Sequence, residues 1–446
     1  MHINIRRAIA LFFLIIFVVG TPILIFYASG YRYNVKKGKV EKSGGLIIDS
    51  EPSRAGIFLN EKFINDSTPA RLKNLVQDRY SVRLEKEGYY SWNKNLEIRS
   101  QETTFAEDVI LFKNTEPEKV IDSEIQFISF SPDHSYAVFT TSDFEQDYLY
   151  LMNLNNQKYN LIYNNNKKFT EPSVYWTDDA SEILFVSNGD RIIIPTQFPK
   201  NSFSLTKFFN YPDAVNYKWD ANSNNALFAQ TENAVFKINS STKKAEDIFL
   251  LNPSEKLIDF YINKNDIYYI FGIENKTFLG KADLADNKLQ KTLELKNDSY
   301  KFDRFYGDKI AIFDHKLPTL YLINQEIDNI YFQKADVQNL DFHKQKNLLL
   351  MQTHQDLSSL DLNEAVANER NITRYSSNLT DAKWHKSTNY AIDLQNQTIN
   401  IIELDDRDSH FILSLPYQNI TNFSIDKDSE TIYFIQNELL YSLEIK

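Results

Sequence analysis

FSPDHSYAVF (Phe130–Phe139) sets the pattern on which the fold is read: an aromatic anchor, a Ser-Pro-Asp turn, and an apolar run closing on a second aromatic nine residues after the first. The frame returns as Trp176–Phe185, Trp219–Phe228, Ile262–Phe271, Phe305–Phe313 (one residue shorter), Phe342–Met351, Trp384–Asp393 and Ile425–Phe434. The anchors at 130, 176, 219, 262, 305, 342, 384 and 425 stand about 42 residues apart on average. A period of about 40–45 residues built only of short strands indicates a β-propeller with four strands per blade. The count is eight blades, or seven if the irregular unit around Ile262 is not one.

The remainder of each unit agrees. A third, alternating strand is expected at Tyr148–Leu154, Thr319–Ile323 and Thr398–Leu404, and a fourth at Tyr159–Tyr163, Asp247–Leu251 and Phe411–Leu415. The last unit runs to Lys446 with no fourth strand after Leu439–Ile445. An open ring leaves an unpaired sheet edge, so residues 118–122 (Glu-Lys-Val-Ile-Asp) are expected to pair with the final blade and close it. The propeller is placed at residues 114–446. Its template resembles the TolB-like and WD-repeat-like propellers, in which an aromatic residue precedes Ser-Pro-Asp-Gly; Phe130-Ser131-Pro132-Asp133 is a good copy, with His134 in place of the glycine.

Before the repeats, residues 45–113 carry five or six short strands and no long helical period, which reads as a small β-sandwich. Ile57 and Leu59 share one face, as do Tyr80, Val82 and Leu84; Leu96, Ile98, Phe105, Val109 and Leu111 complete the apolar set. Gly45-Leu46-Ile47-Ile48 leading to Ser50-Glu51-Pro52, Ala55, Thr68-Pro69, and Leu84 to Gly88-Tyr89 resemble the PEGA domain, a short sandwich of envelope proteins. Where that family has Pro-Glu-Gly-Ala this chain has Pro52-Ser53-Arg54-Ala55. The resemblance implies a surface-exposed adhesive or spacer module without catalysis.

Residues 1–34 read as a membrane anchor. Ala8–Ala28 holds twenty-one residues with no charge, the length that crosses a hydrocarbon core of about 30 Å. Tyr27, Tyr31 and Tyr33 suit an interfacial aromatic belt. An uncleaved anchor is favoured over a signal peptide cut near Ala28-Ser29-Gly30, because signal cores run about 7–15 residues. Residues 35–44 are a polar linker. Residues 1–42 sum to +6 and the rest of the chain to −17. The following flank is more basic than the leading one, and a plain count of flanking charges then places the body in the cytoplasm. Long domains translocate largely regardless of charge, however. The domain types favour a single-pass cell membrane protein with its bulk extracytoplasmic.

Chemistry is sparse. The absence of cysteine removes the disulfide scaffold, the zinc ribbon and the Cys nucleophile. An acidic body is unsuited to nucleic-acid phosphates. The seven histidines show no ligand spacing, and His134, His343 and His385 fall in equivalent blade turns, where solvated residues are expected. Eleven glycines supply no phosphate cradle. Asp405, Asp406 and Asp408, and then Asp426, Asp428 and Glu430, cluster without the glycine and glutamate of a calcium loop. No catalytic, cofactor or metal residue is assigned, and no cofactor is expected. The expectation is a non-enzymatic scaffold whose partners are the membrane, through residues 8–28, and an envelope protein or polysaccharide. The alternatives are a propeller enzyme acting on glycans through paired carboxylates, and a cytoplasm-facing assembly platform.

Overall fold

The computed structural model describes residues 3–34, 37–209, 211, 213–221, 223, 225–285 and 288–446. Two compact units result: Met1–Glu116 with Glu403–Ile412 and Ile445–Lys446, and Pro117–Ile402 with Leu413–Glu444.

In the first unit a helix, Ile3–Ala28, carries an exposed apolar stretch, Ile9–Ala28, of mean hydropathy 2.9, long enough to cross a membrane. Where a linker is expected over 35–44, Tyr31–Asn34 and Lys39–Lys42 instead pair as an antiparallel hairpin. The sandwich follows. One sheet orders Ala70–Leu75, Gly44–Glu51 and Thr103–Ile110; the other orders Lys62–Ser67, Gly56–Leu59, Asp78–Glu85 and Trp92–Ile98. Leu46, Ile48, Ile57, Val82, Leu84, Trp92, Leu96 and Ile98 fill the space between them, as strict alternation along each strand dictates.

Two sequence expectations change here. Phe105 is exposed and Ala106 takes the inward position, because the pairing of Gly44–Glu51 with Thr103–Ile110 shifts register and Asp108 adopts a positive φ of 63°. Alternation also puts Lys94 on the buried face of its strand, between Trp92 and Leu96. Its ammonium lies 2.7 Å from Glu403 Oε2 and donates to the Asp405 carbonyl at 2.6 Å, while the Trp92 indole donates to Glu403 at 3.2 Å. A charge without water needs such a partner, and this explains why Glu403–Ile412, read from sequence as part of the last repeats, belongs to the first unit.

The second unit holds, among the described residues, eight four-stranded antiparallel sheets in chain order, each led by an inner strand that ends on or next to an anchor. Second strands such as Ala226–Gln230 are buried throughout, and outer strands such as Lys158–Tyr163 are mostly exposed. Apolar clusters fill the gaps between successive sheets. One joins Val138 and Leu149 of the first blade to Ile183 and Phe185 of the second; another joins Tyr268 and Ile270 of the fourth to Phe302 and Ile310 of the fifth. A further cluster places Ala137 and Phe139 of the first blade against Tyr433, Ile435 and Leu440 of the last, so the ring closes. At that seam Glu118–Lys119 pairs antiparallel with Leu439–Glu444, with Glu118 opposite Ser442. Val120 N–H and Ile125 N–H then donate to Leu440 O at 2.9 Å and Glu438 O at 2.7 Å.

The blade turns show why the template resembles one with glycine at its fourth position after the anchor. His134, Ala180, Thr388 and Ser429 occupy it with φ of 59°, 55°, 59° and 56°, the left-handed region. In the first turn, Ser131 Oγ accepts the N–H groups of Ser135 and Tyr136 at 3.2 and 2.9 Å.

Candidate binding channel

Eight inner strands side by side enclose the propeller axis. A cavity of about 810 Å³ lies there, and every blade contributes to its wall: Phe130, Asp178, Ala221, Tyr261, Tyr306, Asp341, Lys383 and Phe423 in chain order. Cavities of about 300–1,000 Å³ suit small ligands or an inserted segment. Its lining mixes aromatic rings with charges of both signs.

Three of the carboxylates already have partners. Asp303 accepts the Tyr306 hydroxyl at 2.5 Å, Asp341 accepts the Trp384 N–H at 2.6 Å, and Asp381 lies 3.0 Å from the Lys383 ammonium. Burial disfavours the charge on Lys383, but Asp381 and Asp341 outweigh it and hold its pKa above the ordinary lysine value. Deeper in the wall, Lys218 pairs with Asp259 at 3.0 Å, and there burial wins and lowers the lysine.

Arg304 differs. Its closest carboxylate partner across the ring is Asp178, three blades away, at 3.9 Å, and 45% of its side chain remains open to water. Desolvation opposes the charge, yet Tyr306, Asp303, Asp178 and Tyr261 raise the guanidinium above its ordinary value. Burial in turn pushes the Tyr261 phenol up to about 12. The arrangement offers a permanent planar cation with free donors, bounded by phenol rings that stay protonated and able to donate.

His134 also reaches this cavity. Burial lowers its pKa, against the pull of Asp341, and its Nδ1 is buried without a hydrogen-bond partner. The expectation of solvated turn histidines is therefore corrected: His134 lines the channel, His385 is buried with Nδ1 2.9 Å from Ser387 Oγ, and His343 remains partly exposed, with Nε2 3.3 Å from the Lys386 carbonyl. Such packing depends on blade geometry, which the turn sequence alone does not carry.

The acidic clusters serve structure. Asp405 holds Arg407 at 2.6 Å, and Asp408 meets Arg79 at 2.5 Å and accepts the Asn95 N–H at 3.0 Å. Asp426 accepts the Glu430 N–H at 2.8 Å, closing its turn, and Asp428 meets Lys386 at 2.5 Å. Among the described residues no group of three such side chains is placed to hold a metal ion.

With the sandwich topology and its Pro-turn, Thr-Pro and Gly-Tyr landmarks in place, comparison decides the first domain. Residues 43–109 match the PEGA domain. The PEGA domain thus begins one residue before the strand Gly44–Glu51 and ends within Thr103–Ile110. No curated protein matches the chain. Among solved structures, the C-terminal WD40 domain of Sif2 is similar at 11% identity and TM-score 0.49, over 74% of this chain and 98% of that one. The Dos1 propeller is similar at 9% identity and TM-score 0.49, over 75% and 95%. An oligogalacturonate lyase from Vibrio parahaemolyticus is similar at 9% identity and TM-score 0.42, over 73% and 98%. The propeller assignment stands on the sheet order and ring closure themselves; a PEGA domain joined to a propeller suggests a binding or scaffold role.

Proposed function

We propose that this chain is a non-enzymatic, membrane-tethered scaffold of the cell envelope, whose propeller holds a protein or glycan partner at its channel while the PEGA domain lies outside the cytoplasm. The observation that carries the reading is the open charge of the channel: Arg304 faces Asp178 at 3.9 Å with 45% of its side chain in water, inside a wall built from all eight blades. A rigid frame that presents a water-exposed charge is suited to recognition. The tether is supported by the exposed apolar stretch Ile9–Ala28. The extracytoplasmic side is supported by the PEGA match, against the basic flank.

Protease shaving of intact cells tests the location: digestion of the propeller supports it, and full protection places the body in the cytoplasm as an assembly platform. One observation favours a second reading, catalysis on glycans. Asp303 and Asp341, from neighbouring blades, both line the cavity, and Asp303 accepts the Tyr306 hydroxyl there. Glycan turnover abolished by Asp303→Asn or Asp341→Asn would favour that reading over the scaffold.

A further inference from the structure

The helix Ile3–Ala28 gives way after two residues to the hairpin Tyr31–Asn34/Lys39–Lys42. Ser43 ties the hairpin's base to the helix end, since its N–H and its hydroxyl both donate to the Gly30 carbonyl at 2.8 Å. Register sorts the hairpin's side chains onto two faces. Tyr31 stands opposite Lys42 and Tyr33 opposite Val40 on one; Arg32 stands opposite Glu41 and Asn34 opposite Lys39 on the other.

The second face is anchored to protein. Asn34 is buried, and its amide donates to the Gln77 carbonyl at 3.2 Å and to Glu41 at 3.3 Å. On the first face Tyr33 and Val40 are left 61% and 56% exposed. On the same face Lys42 lies 5.5 Å above the Tyr31 ring and 3.0 Å from Gln101 Oε1, and at the helix end Arg32 lies 3.8 Å above the Tyr27 ring. Residues 31–42 carry five basic side chains and one acid. An exposed aromatic and aliphatic pair beside Lys42, in a basic segment continuous with an apolar helix, matches a bilayer interface in both polarity and charge.

We infer that the hairpin docks on the anionic phospholipid headgroups of the leaflet from which the helix emerges, with Tyr33 and Val40 at the interface and two lysines, Lys37 in the turn and Lys42 on the same face, on the phosphates. This rests on the reading of Ile9–Ala28 as a spanning helix. Two residues reach at most about 7 Å, so a spanning helix leaves the hairpin no route away from the headgroup layer. Docking would fix the base of the PEGA domain against the membrane instead of leaving it on a loose tether.

The chain has no cysteine, so one introduced cysteine is a unique probe site. The full chain bearing a fluorophore at Val40→Cys, or at Phe17→Cys within the helix, is reconstituted in phosphatidylcholine vesicles and in mixed phosphatidylcholine–phosphatidylglycerol vesicles, with quencher lipids at headgroup and acyl-chain depth. The Phe17 probe is expected to be quenched by the acyl-chain label in both. The Val40 probe should be quenched by the headgroup label about two-fold more in the mixed vesicles, a gain lost at high salt and in K37E/K42E. A Val40 probe that stays in water while the Phe17 probe is quenched overturns the docking and leaves the anchor standing. Shielding of Val40 that rises only with protein density assigns the face to a second copy and equally overturns it. A Phe17 probe in water removes the spanning helix, and the docking with it.

Discussion

Asp259 in the fourth blade accepts the backbone N–H of Phe302 in the inner strand of the fifth, at 2.7 Å. Asp341 repeats the contact with Trp384 at 2.6 Å, again 43 residues on. An inner-strand carboxylate thus pins the next blade, and the charge this brings into the wall must be balanced. Lys218 balances Asp259.

Asp259→Ala is therefore expected to strand the Lys218 ammonium, whose side chain is only 17% exposed. Breaking one member of such a pair costs about 3–5 kcal/mol. Adding Lys218→Met should recover much of the loss, because no lone charge then remains. Urea unfolding of both variants checks this; a double variant no more stable than Asp259→Ala would show that the pair is not the cause.

Tyr433, 1% exposed in the last blade, donates its hydroxyl to the Leu154 carbonyl of the first, 279 residues away in sequence. Tyr433→Phe leaves that carbonyl without this donor at the closing seam, at a cost of about 1–3 kcal/mol. Hydrogen exchange should rise first in the first and last blades. Uniform exchange, or none beyond wild type, would contradict a seam held at this point.

Asp393 stands where six of the other seven blades place Phe and the remaining one Met, and it is fully buried. Burial pushes its carboxyl from 3.8 up to about 6, against the stabilising hydrogen bonds that Tyr375 and Asn400 donate at 2.6 and 2.8 Å. Between those values the folded state binds more protons than the unfolded one, so stability falls as pH rises from about 4 to about 6 and stays lower above. The shift corresponds to on the order of 3 kcal/mol at neutral pH. Asp393→Asn should consequently be more stable than wild type at pH 7, with the gap closing toward pH 3.5. A gap that is constant with pH would rule out titration of Asp393 as its source.

The sequence carried the repeat because each blade must bury one aromatic or apolar anchor and one continuous second strand, and both leave a mark in residue order. It also carried the PEGA domain, whose alternation survives at Leu46, Ile48, Val82, Leu84, Leu96 and Ile98. Even the burial of Lys94 was legible in Trp92–Ile98, since it occupies an inward position. Its partner was not, because Glu403 is 309 residues away and only the folded chain brings them together. The channel failed for the same reason. Arg304 and Asp178 fall in unlike positions of different blades, and nothing local marks either as facing the axis. Asp393 was the missed signal that a comparison of repeats could have found: one carboxylate in a column otherwise apolar.

Arg304 makes the channel the proposed seat of the partner. The most direct measurement is retention of envelope components by the full chain in nanodiscs, wild type against Arg304→Glu, with circular dichroism showing the same fold for both. A component retained by wild type and weakened about ten-fold or more in the variant is expected, as loss of about 1.4 kcal/mol of binding requires. Equal retention by the two proteins would contradict it.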